Sequence, residues 1–385
     1  MRVRPLLAGY CALALVTGCT AQVSPPADPV TTTTPSSAPG FTLVAAGDEL
    51  IHPDLTAQAT TDGGGSRDYS QILAGVRPVI SQADVAICHL ETPLASASGP
   101  FRGYPDFSAP PEIATDLAEL GYDACSTASN HTLDQGADGV MRTLDTLDAA
   151  GIKHTGSAGS AREAATPLIL DVNGVKVGQV SFTFGYNGRK VPADKPWLAN
   201  TLDADAVLAA ARAARAAGAE VVVASLHWGV EYEQEPTSEQ RRVAAKLLGD
   251  PAVDLIIGHH AHVVQPFEKI NGKWVAYGLG NQLARHSEPR GTTEEGAVAR
   301  FHFTRSASAP RSASTSTAPG STSAPGPAWA VDRAEYVPTL IDLGPPIRLE
   351  TVSDGTTPRA AEALHRTEAV VLSRGADGQG LTRAH

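Results

Sequence analysis

The chain has 385 residues, enough for one large domain or two small ones. Its hydrophobic fraction of 42% is typical of a globular protein and excludes a wholly disordered chain. The formal net charge of −11 argues against a nucleic-acid partner, because phosphate backbones require clustered Lys and Arg.

The N-terminal segment has the pattern of an export signal. A basic start precedes an apolar run from Leu6 to Val16, which has the length of a signal h-region and is too short to span a bilayer. The run ends in Val16-Thr17-Gly18-Cys19, which resembles a bacterial lipobox. We therefore expect a lipoprotein signal peptide over residues 1–18, lipidation of Cys19, and an extracytoplasmic protein held at the cell membrane by its lipid anchor. The alternative is an ordinary cleaved signal followed by an incidental cysteine.

Two segments are too rich in Pro, Thr and Ser to form a core. We expect residues 19–40 to be a disordered tether and residues 306–328 to be a disordered insertion. Strand-like sequences flank the insertion, so it interrupts a domain that we expect to span residues 41–345. Residues 346–385 have only a weak helical pattern and are predicted to be a weakly structured tail.

Between the tether and the insertion, strand and helix patterns largely alternate. Asn-Gly pairs at 173–174 and 271–272 are typical of type I′ hairpins. This order predicts a mixed α/β domain whose sheets are covered on both faces. The predicted strands are 41–46, 85–88, 122–128, 221–226 and 254–257, and the predicted helices are 69–82, 111–120, 139–149, 202–217 and 238–248.

Two cysteines, Cys88 and Cys125, lie outside the N-terminal segment. Both fall in predicted strands, where buried free thiols are the expected state. A disulfide is the alternative, since an oxidising compartment permits one.

Metal-competent side chains follow five of the predicted strands. Because the carboxyl ends of parallel strands in an α/β sheet meet in one crevice, we expect these side chains to form one site. Oxygen and imidazole ligands together suit a divalent ion such as Zn, Mn or Fe. Two ions about 3.5 to 4 Å apart can activate water and hold a phosphoryl or carbonyl oxygen. The side chains are Asp48, Glu91, Asn130, His131, His227, His259, His260 and His262.

Several sequence blocks, taken in order, resemble known families. Asn130–Gly136, preceded by Gly121-Tyr122-Asp123, resembles the Asn-His block of metallophosphatases, especially the 5′-nucleotidase branch. Asp254–His262 is similar to the closing His-x-His block of that fold. His227–Tyr232 and Tyr277–Asn281 resemble the CapA, or poly-γ-glutamate capsule, family. The resemblance implies a metallophosphatase-like four-layer α/β/β/α sandwich with mixed sheets.

The resemblance also implies two metal positions that share a bridging carboxylate. Glu91 takes the bridging place, where most metallophosphatases have Asp. The first metal is expected to be held by Asp48 and His262, and the second by Asn130, His227 and His260.

A proton-transfer pair is implied beside these ligands. His131 stands where the general acid stands, and Asp134, three residues on, can hold its imidazole. His259 is one place out of the His-x-His register, so we expect it outside the ligand set. The other histidines, at positions 52, 154, 286, 302, 365 and 385, are expected to be structural or exposed.

The sequence departs from the family pattern at the first metal. The usual Asp-x-His is Asp48-Glu49-Leu50 here, so this metal lacks a ligand. His52 is a candidate replacement, and His89 stands where the CapA pattern usually has Asn. We therefore expect one tight ion and a second site that is weak or absent.

The resemblance implies a role in biosynthesis or export of a capsule or poly-γ-glutamate-type polymer, with an anionic polymer or other capsule-synthesis components as partners. One hypothesis is a metal-dependent hydrolase of a phosphoester or amide bond, which His131 and Asp134 favour. A second is a non-catalytic metal-binding component of assembly or export, which Leu50 favours. A third is an envelope lipoprotein that uses a metal only for stability.

The lipobox interpretation is tested by a Cys19→Ala variant. Without the thiol no diacylglycerol can be attached, so the variant should leave the membrane fraction or stay unprocessed. Fractionation and mass spectrometry measure both outcomes. Unchanged membrane retention together with unchanged mass would show that lipidation is not the anchor.

Overall fold

The computed structural model describes residues 40–286, 291–305 and 329–384. The predicted signal peptide, Cys19, the tether up to residue 39, the insertion and His385 lie outside these residues. Among the residues described, no helix is both long and apolar enough to cross a bilayer.

The strands and helices alternate through most of the chain. The strands are β1 (Gly40–Glu49), β2 (Val85–Leu90), β3 (Ala124–Ser126), β4 (Lys153–Thr155), β5 (Leu168–Val172), β6 (Val175–Thr183), β7 (Val221–His227), β8 (Leu255–His259), β9 (Phe267–Ile270), β10 (Lys273–Ala276), β11 (Asn281–Leu283), β12 (Glu295–Arg305), β13 (Trp329–Asp342), β14 (Arg348–Thr351) and β15 (Leu381–Arg383). The helices are α1 (Pro53–Asp62), α2 (Arg77–Ser81), α3 (Glu112–Leu120), α4 (Gly136–Ala150), α5 (Ala161–Ala164), α6 (Ala204–Ala216), α7 (Ser238–Leu248) and α8 (Pro358–Val371).

The strands form two mixed sheets. The first has the order β14-β13-β12-β1-β2-β3-β4, with β11 beside β1 and β15 beside β13. Strands β1 to β4 run parallel, whereas β12, β13 and β14 join antiparallel. The second sheet has the order β5-β6-β7-β8-β10-β9, in which β6, β7, β8 and β10 are parallel. All the strands that carry predicted ligands are therefore in parallel register with a neighbour.

The alternation of side chains along β1 shows what packs against each face of the first sheet. Phe41 and Leu43 face a core shared with the second sheet, whereas Val44 and Ala46 face a core shared with α1, α3 and α4. Helices α6 and α7 cover the other face of the second sheet. The predicted α/β/β/α sandwich with mixed sheets is confirmed.

The predicted helix over 69–82 is shorter in the structure. A 3-10 turn (Ala74–Val76) leads into α2, which begins at Arg77 with Pro78 in its first turn. Pro78 has no backbone N–H, and its ring would clash with the carbonyl of residue 74 in a continuous helix, so the helix can only begin next to Pro78. The prediction of one helix followed the apolar spacing and overlooked this proline.

Residues 346–385 are not a weakly structured tail, which corrects the prediction. They contain β14, α8 and β15, and Val371 and Leu381 are buried in the core between the sheets. Arg366 of α8 forms an ion pair with Glu295, which is 2% exposed, at 2.6 Å. These contacts are made with residues distant in sequence, which explains why the local pattern was weak.

Cys88 and Cys125 form a disulfide, so the expectation of free thiols is wrong. The two cysteines are register partners in β2 and β3, with Cα atoms 4.5 Å apart, a separation that a disulfide can bridge. The bond lies in the core beneath the helices and joins the two strands whose ends carry Glu91 and Asn130.

The disulfide should contribute measurably to stability. The Cys88→Ala/Cys125→Ala double variant is expected to lower the free energy of unfolding by about 3 kcal/mol, because the unfolded chain loses a cross-link. Equilibrium urea denaturation measures this change. A reductant should shift the wild-type midpoint toward that of the variant and leave the variant unchanged. Two titratable thiols in the unreduced wild type would contradict the assignment.

Candidate metal centre

The polar ends of strands from both sheets meet at one place. The first sheet supplies side chains from the ends of β1 and β2 and from the loop after β3, and the second supplies them from the ends of β7 and β8. All six predicted ligands are buried, none more than 4% exposed. They are Asp48, Glu91, Asn130, His227, His260 and His262.

The Asp48 carboxylate contacts the second sheet at three points. Its Oδ1 lies 3.2 Å from Nδ1 of His259, and its Oδ2 accepts a hydrogen bond from the backbone N–H of His260 at 3.1 Å. Oδ2 also lies 3.2 Å from Nδ1 of His262. His260 and His262 have φ angles of 93° and 55°, in the left-handed region where strained residues of functional sites are often found.

Glu91 lies between His262, a predicted ligand of the first metal, and His227, a predicted ligand of the second. Its Oε1 is 3.7 Å from Nε2 of His262 and 3.9 Å from Nε2 of His227. This position, close to a predicted ligand of each metal, is the one expected of a bridging carboxylate.

His227 is held from two sides. Its Nε2 is 3.0 Å from Oδ1 of Asn130, and its Nδ1 is 3.0 Å from Nε2 of His89. The other ring nitrogen of His89 is 2.8 Å from Oγ of Ser126. This chain of contacts fixes the ring planes of both histidines.

Several buried polar atoms of the cluster have no hydrogen-bond partner among the described residues. They are both carboxylate oxygens of Glu91 and Nδ1 of His260. Burying such groups unpaired is costly, and a divalent cation would pair with them. Four groups of three side chains have ligand atoms within 4.8 Å of one another: Asp48, His89 and His259; His89, Glu91 and His227; Glu231, His260 and His262; and Asp48, Glu91 and His262. The residues therefore fit a divalent metal ion.

Burial and the neighbouring charged groups together shift the pKa values of the cluster. Burial raises the pKa of Glu91 well above its usual range, although the charge of His262 opposes the shift. Burial would also raise the pKa of Asp48, but hydrogen bonds from His259 and His262 outweigh it and hold this pKa well below its usual range. Burial lowers the pKa of His262, yet Glu91 and Asp48 outweigh burial and raise it to about 10. A metal ion therefore competes with protons at Glu91 and His262.

His131 and Asp134 form the expected pair, with Nδ1 of His131 2.6 Å from Oδ2 of Asp134. Since a carboxylate accepts, Nδ1 carries the hydrogen and Nε2 is left for other partners. Oδ2 of Asp134 also accepts from the N–H of Phe107 at 2.8 Å, and Oδ1 accepts from Arg189 at 3.3 Å. The carboxylate is thus fixed on both oxygens.

Asn187 links this pair to the ligand cluster. Its Oδ1 accepts a hydrogen bond from Nδ2 of Asn130 at 3.3 Å, and its Nδ2 lies 3.5 Å from Nδ1 of His131. Asn187 is exposed and has a φ of 51°. The sequence carries no motif signal for Asn187 or Arg189, and sequence reasoning missed both.

Leu50 cannot bind a metal, as expected. It packs in an apolar cluster with Phe107 and Ala284. The candidate replacement His52 lies nearby, but its Nδ1 is 2.9 Å from the carbonyl oxygen of Leu50 and 3.1 Å from the backbone nitrogen of Arg285. Among the described residues, His52 belongs to none of the four ligand groups.

Three further residues lie at the site although they were not assigned as ligands or as catalytic residues. His89 and His259 stack at 4.0 Å and form a ligand group with Asp48. Asn281 places its Oδ1 2.9 Å from Nδ1 of His262. Their positions at strand ends and in the Tyr277–Asn281 block were the available signals.

His286 was expected to be structural or exposed, but its ring lies 5.2 Å from that of His262. Its Nε2 is 3.2 Å from Nδ2 of Asn281. This histidine therefore borders the cluster.

The family described as bacterial capsule synthesis protein PGA_cap matches residues 42–286. The chain belongs to this family. The matched range contains every residue of the cluster, and the predicted membership of the CapA family is confirmed.

Relatives of known name are similar over about half of the chain. The capsule biosynthesis protein CapA of Bacillus anthracis is 28% identical over 199 residues, which cover 51% of this chain and 48% of the relative. The PGA biosynthesis protein CapA of Bacillus subtilis is 30% identical, covering 49% and 48%. A probable polyglutamine synthesis accessory protein of Mycobacterium tuberculosis is 30% identical, covering 51% and 55%. The chain spans about half the length of the curated relatives it matches.

Solved structures show similarity at low identity. The NAD nucleotidase of Haemophilus influenzae is 10% identical, covering 90% of this chain and 64% of that chain with a TM-score of 0.46. The calcineurin-like phosphoesterase YfkN from Bacillus subtilis is 17% identical, covering 86% and 97% with a TM-score of 0.38. These TM-scores are below 0.5, a level at which similarity does not define a site.

Removing a ligand of the second position should abolish tight metal binding. His227→Ala and His260→Ala are each expected to weaken binding by more than about 100-fold, since even loss of an outer-sphere partner costs 10- to 100-fold. Metal content after dialysis measures the change. His302→Ala is the matched control, because His302 pairs with Asp332 on the surface. Unchanged metal content in both site variants would refute the ligand assignment.

Proposed function

We propose that the protein is an envelope lipoprotein that acts in biosynthesis or export of a capsule or poly-γ-glutamate-type polymer, as a metal-dependent hydrolase. The observation that carries this proposal is the placement of the His131–Asp134 pair beside a buried cluster with unpartnered ligand atoms. Asn187 contacts both Asn130 of the cluster and His131 of the pair, so the two parts form one site.

The cluster fits an ion of Mn, Zn or Fe, because it combines carboxylate, amide and imidazole ligands. Asn130, His227, His260 and Glu91 would hold the tighter ion. When bound, the ion supplies Lewis acidity to a phosphoryl or carbonyl oxygen and activates water for attack. The protein keeps these side chains dry and ordered before the ion arrives.

His131 moves the proton. Asp134 accepts the hydrogen on Nδ1 and so orients the ring. Nε2 is then available to donate a proton to the leaving group of a phosphoester or an amide. Arg189 and the N–H of Phe107 hold Asp134 in place, so the imidazole keeps one orientation.

The process and the location are proposed from separate observations. The relatives named for capsule, PGA and polyglutamine synthesis support an anionic polymer, or other components of its synthesis, as partners. The Val16–Cys19 motif supports lipid anchoring at the cell membrane and an extracytoplasmic site.

A non-catalytic component of polymer assembly or export is the second candidate. It is favoured by Leu50, which lies in an apolar cluster where a metal-binding histidine is usual. In that case the ion held by the cluster would stabilise the fold or take part in binding, without catalysis.

Hydrolysis with intact metal binding separates the two candidates. His131→Ala should retain the metal content of the wild type and lower the hydrolysis rate by about 100- to 10,000-fold, because general acid catalysis contributes that much. The full-length protein is assayed with added Mn, Zn or Fe on phosphoester and γ-glutamyl amide substrates.

Asp138→Asn is the control, since Asp138 is an exposed carboxylate on the following helix. It should hydrolyse like the wild type. A metal-loaded wild type that cleaves none of the substrates, or a His131→Ala variant with wild-type activity, would contradict the catalytic proposal.

A further inference from the structure

The first ion position is short of a ligand. Asp48 and His262 face it together with the bridging Glu91, and their ligand atoms lie within 4.8 Å of one another. Leu50 occupies the place where a histidine is usual and is buried among apolar side chains. Structural zinc ions have four protein ligands and catalytic ones have three and a water, so this set leaves one coordination position open.

The loop after β7 is fixed over the end of β8. The N–H of Trp228 donates to the carbonyl oxygen of His259 at 3.2 Å, and the N–H of Tyr232 donates to that of Ala261 at 2.7 Å. Gly229 turns the chain between these anchors with a φ of 94°. The loop therefore follows the backbone of the His-x-His block.

Glu231 lies within this anchored loop. One of its carboxylate oxygens is within 4.8 Å of a ring nitrogen of His260 and of His262. The carboxylate is exposed and makes no hydrogen bond or ion pair within the part of the chain that the structure describes.

His260, which belongs to the same ligand group as Glu231, has a buried Nδ1 without a hydrogen bond among the described residues. The carboxylate oxygens of Glu91, in the other ligand group of His262, also lack a hydrogen bond in that part of the chain. His262 is therefore common to the group of Glu231 and to that of the first ion position.

His52 is a weaker candidate for the missing ligand. Its Nδ1 accepts from the N–H of Arg285 at 3.1 Å, and its ring packs edge-on against Phe107 at 5.3 Å. These contacts keep the ring outside the ligand groups formed by the described residues.

We propose that Glu231 is a metal ligand that takes the place of the missing histidine at the first ion site, beside His262, the residue that its ligand group shares with that of Asp48 and Glu91. This inference rests on the proposed metal centre. It changes the expected content from one tight ion to two ions per chain. Because Glu231 is exposed, the ion that it holds is the one open to exchange with solvent.

The test uses the full-length protein and a Glu231→Gln variant, which removes the charge and keeps the size of the side chain. Both are equilibrated with Mn²⁺ or Zn²⁺ over a concentration series, and bound metal per chain is measured. The wild type should bind two ions. The variant should keep the tight ion and bind the second at least about tenfold more weakly.

Glu233→Gln is the matched control, because Glu233 is exposed in the same loop and belongs to no ligand group of the described residues. It should bind two ions as the wild type does. Equal loss in both variants would mean that only general charge matters and would overturn the proposal, as would wild-type binding by Glu231→Gln.

A His227→Ala variant distinguishes this failure from failure of the metal centre itself. If His227→Ala loses the tight ion while Glu231→Gln keeps both ions, the role of Glu231 is refuted and the centre stands. If His227→Ala also keeps both ions, the proposed centre is refuted and the assignment of Glu231 falls with it.

Discussion

The carboxylate of Asp48 is the contact that joins the polar ends of the two sheets. It extends from the first sheet and meets His259, His260 and His262, all from the second. The apolar core between the sheets sets the distance between them. The Asp48 side chain bridges that distance at the edge of the core. A shift of β1 by one residue would replace Asp48 with Glu49 and turn the site carboxylate to the opposite face. The register of β1 therefore decides whether the site exists.

A buried cluster of this kind works against folding. Carboxylates and imidazoles are removed from water, and Glu91 and His260 keep unpartnered atoms among the described residues. Part of the cost is offset by protonation, since burial raises the pKa of Glu91 and carboxylate neighbours raise that of His262 to about 10. An ion would replace those protons as the stabilising charge. The buried cluster therefore needs positive charge, and the domain's own side chains supply only part of it.

Much of the fold and site could be predicted from the sequence, because the ligands follow buried strands and strand ends converge. The limits have physical causes. The C-terminal helix is held by Arg366 and Glu295, a contact between distant residues that no local pattern reveals. The Cys88–Cys125 bond depends on register between β2 and β3, which composition cannot supply. Asn187 and Glu231 lie in loops, whose course depends on backbone hydrogen bonds rather than on periodicity.

The direction of β1 keeps the start of the described chain away from the site. The described chain begins at Gly40, where β1 starts, and Asp48 lies near the other end of the same strand. At roughly 3.3 Å per residue, these two points are about 26 Å apart. Arg305 and Trp329, which flank the segment between β12 and β13, pair near the Gly40 end. Strand β1 therefore separates the point where the described chain enters the domain from the point where Asp48 meets His259, His260 and His262.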